Sequence, residues 1–114
     1  MPYIEINTNA EMTLQKKRKI CRKTAEMITC LSGKKTERTM VNLMDRRTMY
    51  FGNSFEPCAK IHVDLFHKSA DEEKAEYCKR ISELIEKETG IDQSRIYVVF
   101  AEYESWGSSG ELRF

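Results

Sequence analysis

The first half of the chain carries two successive patterns of apolar residues. Ile4 and Ile6 alternate with polar positions, which predicts a strand over residues 2–8. Apolar residues then recur at three- and four-residue spacing, which predicts a helix over about residues 14–32. Residues 38–45 return to a strand pattern. The first half therefore reads as a β-α-β unit.

Both ends of this predicted helix carry capping signals. Thr13 precedes the apolar pattern, where a hydroxyl can accept a hydrogen bond from a free backbone N–H group of the first turn. Gly33 follows the last apolar position, and glycine is favoured there because it adopts a left-handed conformation without steric cost. We therefore expect the helix to begin after Thr13 and to end at Gly33.

The second half of the chain repeats this order. Alternation around Val63 predicts a strand. Ser69 and Glu72 have the spacing of a capping box, which predicts the start of a helix that runs to about residue 89. Gly90 is expected to close that helix.

The apolar residues of the second half predict which faces are buried. Residues 95–101 form an almost continuous apolar run, which indicates a strand buried on both faces. The expected buried stripe of the second helix comprises Ala75, Cys78, Ile81 and Ile85.

An offset of 57 residues relates the two halves. The offset aligns strand with strand and helix with helix, so residues 2–47 and 59–104 form two β-α-β units of a single domain over residues 1–114. We expect an α+β fold with a four-stranded mixed sheet and two helices on one face. No third helix is available for the other face, which favours an oligomer that packs sheets together. Identical pairs at this offset are Ile4/Ile61, Lys17/Lys74, Cys21/Cys78, Glu26/Glu83, Gly33/Gly90, Arg38/Arg95 and Val41/Val98.

Composition narrows the classes of function. The chain has 19 Lys and Arg residues against 18 Asp and Glu residues, which excludes a basic nucleic-acid-binding tail as the main feature. No run of 18 apolar residues exists, so no membrane span is expected. The amino terminus lacks the basic and apolar regions of a signal peptide, which predicts a cytoplasmic protein.

Neither a metal ion nor another cofactor is expected from the sequence. The four cysteines lack zinc-site spacing. His62 and Asp64 share one face of the predicted strand near Cys58, but His67 points away from them if the strand continues. These residues therefore do not form a convincing metal site.

The near-neutral total conceals two helices of opposite charge. Residues 14–33 contain six positive side chains and one negative, whereas residues 69–90 contain seven negative and four positive. One interpretation is that each charged side faces solvent, which requires no partner for either helix. The alternative is an anionic partner, a nucleic acid or a membrane surface that binds the first helix.

Pro2 is the first candidate for chemistry. Removal of Met1 would leave a secondary amine at the amino terminus, and burial lowers the pKa of an amine from its ordinary value near 7.7–8.0. Such an amine can act as a general base near neutral pH. A structural interpretation stands beside this one, because proline is also ordinary at the first position of a strand.

Several motifs in order along the chain resemble the macrophage migration inhibitory factor family of the tautomerase superfamily. The resemblance implies a trimer whose sheets form a central barrel, with active sites between neighbouring subunits. It also implies keto–enol tautomerisation of phenylpyruvate-like α-keto acids or enols and isomerisation of dopachrome derivatives. The motifs are Met1-Pro2-x-Ile4, Asn7-Thr8-Asn9, Ser32-Gly33-Lys34, Met49-x-Phe51-Gly52-x-Ser54-x-Glu56-Pro57-Cys58-Ala59 and Gly90-Ile91-x-x-x-Arg95-Ile96-Tyr97.

The resemblance assigns roles to individual residues. Pro2 would be the catalytic base, and the ammonium of Lys34 would bind the substrate carboxylate or the developing enolate. Phe66 would line the site, followed by His67 where the family usually has glycine. Tyr97 would reach the pocket of a neighbouring subunit.

Other positions depart from the family pattern. The family commonly ends in a Trp-Asn-Gly-x-x-Phe pattern, whereas here Trp106 stands at the apolar wall position and Ser108 at the usual tryptophan. Arg38 replaces an aromatic residue at the pocket mouth, so a substrate carboxylate would meet two cations, Lys34 and Arg38. Val99 stands where some members have a substrate-contacting asparagine.

Two functions follow from these residues. The leading one is a trimeric tautomerase. The other is a cytokine-like or host-interacting protein with a vestigial pocket and a receptor at the cell surface. Family members can leave cells without a signal peptide, so secretion by a non-classical route is compatible with the sequence.

Overall fold

A computed structural model describes all residues, 1–114. Two α-helices cover one face of a four-stranded sheet with the strand order β2-β1-β3-β4, and a separate β5–β6 hairpin follows. The elements are β1 (Pro2–Thr8), α1 (Leu14–Glu26), β2 (Met40–Met44), β3 (Ala59–Phe66), α2 (Asp71–Thr89), β4 (Ile96–Tyr103), β5 (Trp106–Ser108) and β6 (Glu111–Arg113).

The strand pairings confirm the predicted mixed sheet of two β-α-β units. β1 pairs with β2 in parallel, and β3 pairs with β4 in parallel. The central pair, β1 and β3, is antiparallel, with Pro2 opposite Leu65 and Thr8 opposite Ala59. The two units therefore lie side by side and join through their first strands.

The core lies between the helices and the inner strands. Alternate residues of β1 and β3 point to the helices and are buried, whereas the intervening residues lie on the opposite face. The largest fully buried side chains include Ile4, Ile6, Ile20, Ile28, Leu31, Ile61, Leu65, Tyr77, Ile81 and Ile85. No helix offers an apolar stretch long enough to cross a membrane.

The first helix begins as predicted but ends early. The hydroxyl of Thr13 accepts from the N–H of Lys16 at 3.2 Å, which confirms the N-cap. The α-helix ends at Glu26 and tightens into a 3₁₀ turn over Met27–Cys30, so its predicted end at Gly33 is wrong. The β-branched residues in that turn, which have a lower helix propensity, are consistent with the early end.

The second helix ends as predicted but begins differently. Gly90 closes it in a left-handed conformation, with its N–H donating to the carbonyl of Glu86 at 2.8 Å. The predicted capping box is absent: Ala70 occupies the N-cap position, and the backbone N–H of Ser69 donates to the carboxylate of Glu102 at 2.6 Å. The buried stripe is also rotated: Ala75 is exposed, and Tyr77 is fully buried.

The face of the sheet opposite the helices is open in the single chain. Tyr97 and Val99 on β4 are 60% and 36% exposed, so the predicted burial of this strand on both faces is wrong for one chain. The inner strands place polar side chains on this face, among them Glu5, and His62, whose ring nitrogen lies 2.8 Å from a carboxylate oxygen of Asp64.

Candidate active site

Pro2 lies at the start of β1, where it is buried and pairs with Leu65 of β3. Its nitrogen joins Met1 in a peptide bond, and both residues line a cleft of about 630 Å³, which we call the Pro2 cleft. The lining residues are Met1, Pro2, Tyr3, Glu37, Arg38, Met40, Trp106, Gly107, Ser108, Ser109 and Arg113.

A second pocket adjoins the Pro2 cleft and contains Lys34 and Phe66. Met1 and Arg38 line both pockets, so the amino terminus lies between them. The ammonium of Lys34 donates to the backbone carbonyl of Phe66 at 2.7 Å and forms no ion pair. Gly33, with φ of +78°, provides the turn that leads the chain from α1 into this position.

The electrostatics of this region favour a neutral amine. Burial, followed by the positive charges of Lys34 and Arg38, lowers the pKa of the Met1 amino group. Burial also lowers the pKa of Lys34. An amine at Pro2 would be buried in the cleft that Arg38 also lines, and burial and a neighbouring cation both favour the unprotonated form of an amine.

Aromatic side chains flank the amino terminus. The rings of Phe66 and Trp106 are 6.5 Å apart, and those of Tyr103 and Trp106 are 6.2 Å apart. His67 keeps the left-handed conformation that glycine favours, with φ of 68°, and its N–H donates to the carbonyl of Tyr103 at 2.8 Å. The loop after β3 therefore turns towards β4 even with histidine in that position.

Tyr97 lies at the opposite end of the sheet. It pairs with Lys60, five residues from the β3 residue opposite Pro2, which corresponds to about 16 Å along the strand. Its ring packs on Phe51 with 4.8 Å between centroids. A single chain thus brings together Pro2, Arg38 and Trp106, with Lys34 and Phe66 adjacent, but not Tyr97.

Arg113 is a residue of the cleft that sequence reasoning missed. It lies on β6 directly opposite Trp106, and its Nε is buried without a hydrogen-bond partner. The signal in the sequence is the hairpin turn at Ser109 and Gly110, both with positive φ, which folds the last strand back onto Trp106. That turn identifies the hairpin but not the cleft beside it.

The basic side chains of α1 are partly engaged within the chain. Lys16 donates to the carbonyl of Glu88 at 2.8 Å, Lys17 pairs with Asp45 at 3.3 Å, and Lys19 pairs with the Glu88 carboxylate at 3.1 Å. Three of the six basic side chains of α1, which could in principle bind an anionic partner, therefore contact other parts of the same chain.

Comparison with known proteins gives consistent results. The family model described as "Macrophage migration inhibitory factor (MIF)" matches residues 1–110. D-dopachrome decarboxylase of Xenopus tropicalis is 26% identical over 110 residues, covering 93% of this chain and 90% of that protein. Macrophage migration inhibitory factor of the same frog is 25% identical over 75 residues, and the match covers 66% of this chain and 65% of that protein, just under two thirds of its length.

Solved structures reproduce the fold. The crystal structure of MIF2 from Leishmania major superposes with a TM-score of 0.92 at 24% identity, covering 99% of this chain and 97% of that chain. The agreement includes the duplicated β-α-β units and extends over nearly the whole chain. Because the family model matches residues 1–110, which include both helices and the whole four-stranded sheet, the chain belongs to the macrophage migration inhibitory factor family.

Proposed function

We propose that this protein is a keto–enol tautomerase of 2-oxo acids, with Pro2 as the general base after removal of Met1. The observation that carries the proposal is the buried position of Pro2 in the Pro2 cleft, beside Met1 and Arg38, which line both this cleft and the pocket of Lys34. Cations at this place serve two purposes: they keep an amine unprotonated, and they stabilise an enolate as it forms.

The reaction needs one proton carrier and one stabilised oxygen. The lone pair of the Pro2 nitrogen takes a proton from C3 of the 2-oxo acid, and the C3–H electrons form the C2–C3 double bond. The carbonyl electron pair moves onto the C2 oxygen, where Lys34 stabilises the negative charge. A proton from water completes the enol, and the Pro2 ammonium releases its proton to solvent. In the direction of ketonisation the reverse steps pass a proton from the Pro2 ammonium to C3.

Assembly into a homotrimer is part of this proposal. The open face of the sheet exposes Tyr97 and Val99, and the last residues of the chain expose Leu112 and Phe114. Apolar surface of this extent favours association with further copies of the chain. In such a trimer Tyr97 of one subunit would approach the Pro2 cleft of its neighbour.

The test is a substitution of Pro2 combined with intact mass spectrometry. Pro2→Gly should retain Met1 removal, because glycine is also small, but it should lower phenylpyruvate tautomerisation by about 100-fold or more, as expected for a misplaced general base. Pro57→Gly is the matched control, since the chain has only two prolines and Pro57 lies outside both pockets.

Two results would contradict the proposal. One is a mass that includes Met1, because an amide nitrogen cannot act as the base. The other is full activity in Pro2→Gly. A retained Met1 would instead support the cytokine-like binding protein with a vestigial pocket, whereas full activity in Pro2→Gly would mean that another group is the base.

A further inference from the structure

The arrangement of cations around the amino terminus defines a narrower substrate class. We infer that the preferred substrate is a short 2-oxo dicarboxylate, with one carboxylate held near Lys34 and the other held by Arg113. This inference rests on the proposed function, because it names the substrate of the same site. Arg38, which lines both pockets, lies between the two binding positions.

The cations here are not paired directly with carboxylates. Lys34 and Arg38 form no ion pair, and the ammonium of Lys34 donates to a backbone carbonyl; Glu102 acts on Lys34 from a greater distance, and Glu37 lines the cleft beside Arg38. Arg113 has one ionic contact, from Nη2 to Glu111 at 3.9 Å, and that glutamate side chain is 76% exposed. An exposed pair at this separation contributes little, so all three cations remain available to an anion.

The guanidinium of Arg113 shows the clearest need for a ligand. Its Nε is buried and has no acceptor, although buried donors in proteins are almost always hydrogen-bonded. A carboxylate is the acceptor that matches the planar donor fork of arginine, because it can accept two parallel hydrogen bonds. Arg113 lines the Pro2 cleft, and its side chain as a whole is 40% exposed, so the rest of the guanidinium is accessible to a ligand.

The order of charges along the cleft matches the order of groups in such a substrate. The amino terminus lies between Lys34 on one side and Arg113 on the other. In a four-carbon 2-oxo dicarboxylate, the C3 proton likewise lies between the two carboxylates. Binding both ends would therefore place the reacting carbons in the part of the cleft that Met1 and Pro2 line.

An aromatic monocarboxylate would form an ionic contact with fewer of the cations in this site. Phenylpyruvate carries one negative charge, so binding its carboxylate at Lys34 would direct the phenyl ring towards Arg113. Trp106 would contact that ring, but the Arg113 nitrogen would stay buried without an acceptor. An unpaired buried donor is a source of discrimination against ligands that lack the matching group.

Binding can be tested without catalysis. Trp106 is the single tryptophan of the chain and lies opposite Arg113, so its fluorescence reports on the cleft. We expect succinate to change this fluorescence at a concentration at least about tenfold lower than propionate, and Arg113→Gln to weaken succinate by about ten- to a hundredfold, as for a charged hydrogen bond. Arg47→Gln, on an exposed arginine outside the cleft, is the matched control.

Catalysis provides the second readout. With Met1 removed, the enzyme should ketonise enol-oxaloacetate with a higher kcat/KM than enol-phenylpyruvate. Arg113→Gln should lower the ratio of these two values by about tenfold or more, and Arg113→Lys should lower it less, since lysine keeps the charge but not the fork.

The outcomes separate the two proposals. Activity that requires Pro2 but favours phenylpyruvate, or equal binding of succinate and propionate, would overturn the dicarboxylate inference and leave the tautomerase standing. No Pro2-dependent activity with either enol would overturn the tautomerase. Should Arg113→Gln fail to fold, the Arg113→Lys ratio and the wild-type preference still decide the inference.

Discussion

Arg38 and Arg95 occupy equivalent positions in the two β-α-β units, 57 residues apart, yet their side chains have different environments. Each ends a three-residue 3₁₀ turn just before the last strand of its unit. Arg38 is exposed in the cleft and forms no ion pair. Arg95 donates to the carbonyls of Pro57 and Glu56 at 2.9 and 3.0 Å, and lies 5.1 Å from the Phe51 ring centre.

The difference between Arg38 and Arg95 indicates which end of the sheet can bind a ligand. At the end of the sheet near Arg95, hydrogen bonds within the chain occupy the polar groups. Asn9, for example, donates to the carbonyls of Phe55 and Glu56 and accepts from the N–H of Cys58. At the Pro2 end, the buried Nε of Arg113 has no acceptor, and Lys34 and Arg38 form no ion pair. Substitutions at one end should therefore affect stability, and at the other end activity.

The largest effect is expected at Lys34. Lys34→Ala removes the cation that we propose stabilises the enolate and should lower kcat/KM by about 100- to 1,000-fold, the usual cost of losing one such donor. The melting temperature should change little, because Lys34 forms a single hydrogen bond. Lys35→Ala is the neighbouring control and should retain activity. Comparable losses of activity in Lys34→Ala and Lys35→Ala would contradict the proposed role of Lys34.

Arg95→Ala should show the opposite pattern. Loss of two hydrogen bonds and of the contact with Phe51 should lower the free energy of unfolding by about 2 kcal/mol. Arg38→Ala, at the equivalent position, should change it by less than about 0.5 kcal/mol, as for an exposed side chain. Urea unfolding of both variants measures the contrast, and equal destabilisation would refute it.

A smaller effect on stability is expected where the two helices join. The hydrogen bond and charge of Lys19 lower the pKa of Glu88, so this carboxylate stabilises the fold above its unfolded pKa near 4.5. That stabilisation is lost as the pH falls through the lower folded pKa. Glu88→Gln should be less stable than wild type at pH 7, and the difference should shrink below pH 4. A difference independent of pH would contradict the pairing.

The smallest predicted effect is a displacement of the pH–rate profile. Arg38 is one of the two cations that lower the pKa of the terminal amine, after burial. Arg38→Gln should raise that pKa, so the acidic limb of kcat/KM should move to higher pH, because the base must be unprotonated. Arg95→Gln is the symmetry-related control and should leave the limb in place. A shift to lower pH would contradict the argument.

The sequence predicted the features that depend on local pattern. Alternation around Ile4 and Val63 located two strands, and Thr13 and Gly90 act at the expected helix ends. The sequence prediction failed where a contact with a residue distant in the sequence determines the local structure. The N-cap position of α2 is Ala70 and not Ser69, and the N–H of Ser69, which a capping box would pair with Glu72, donates to the carboxylate of Glu102 from β4.

The candidate site was predicted only in part. Pro2, Arg38 and Trp106 share one cleft, with Lys34 and Phe66 in the adjoining pocket. Arg113 was missed because its importance depends on how the terminal hairpin folds against the amino terminus, which no local spacing encodes. Tyr97 needs a second chain to approach the cleft, so its role remains a prediction.

Pro2 also has a counterpart in the second unit. Ala59, 57 residues later, begins β3 as Pro2 begins β1, and it is buried in the same sheet. Ala59 follows Cys58 within the chain, so its nitrogen is permanently an amide. Gene duplication can copy strands, helices and loops, but each polypeptide has one α-amino group. A chain built from two similar units can therefore contain only one site that depends on an amino-terminal amine. An assembly with several such sites needs several subunits.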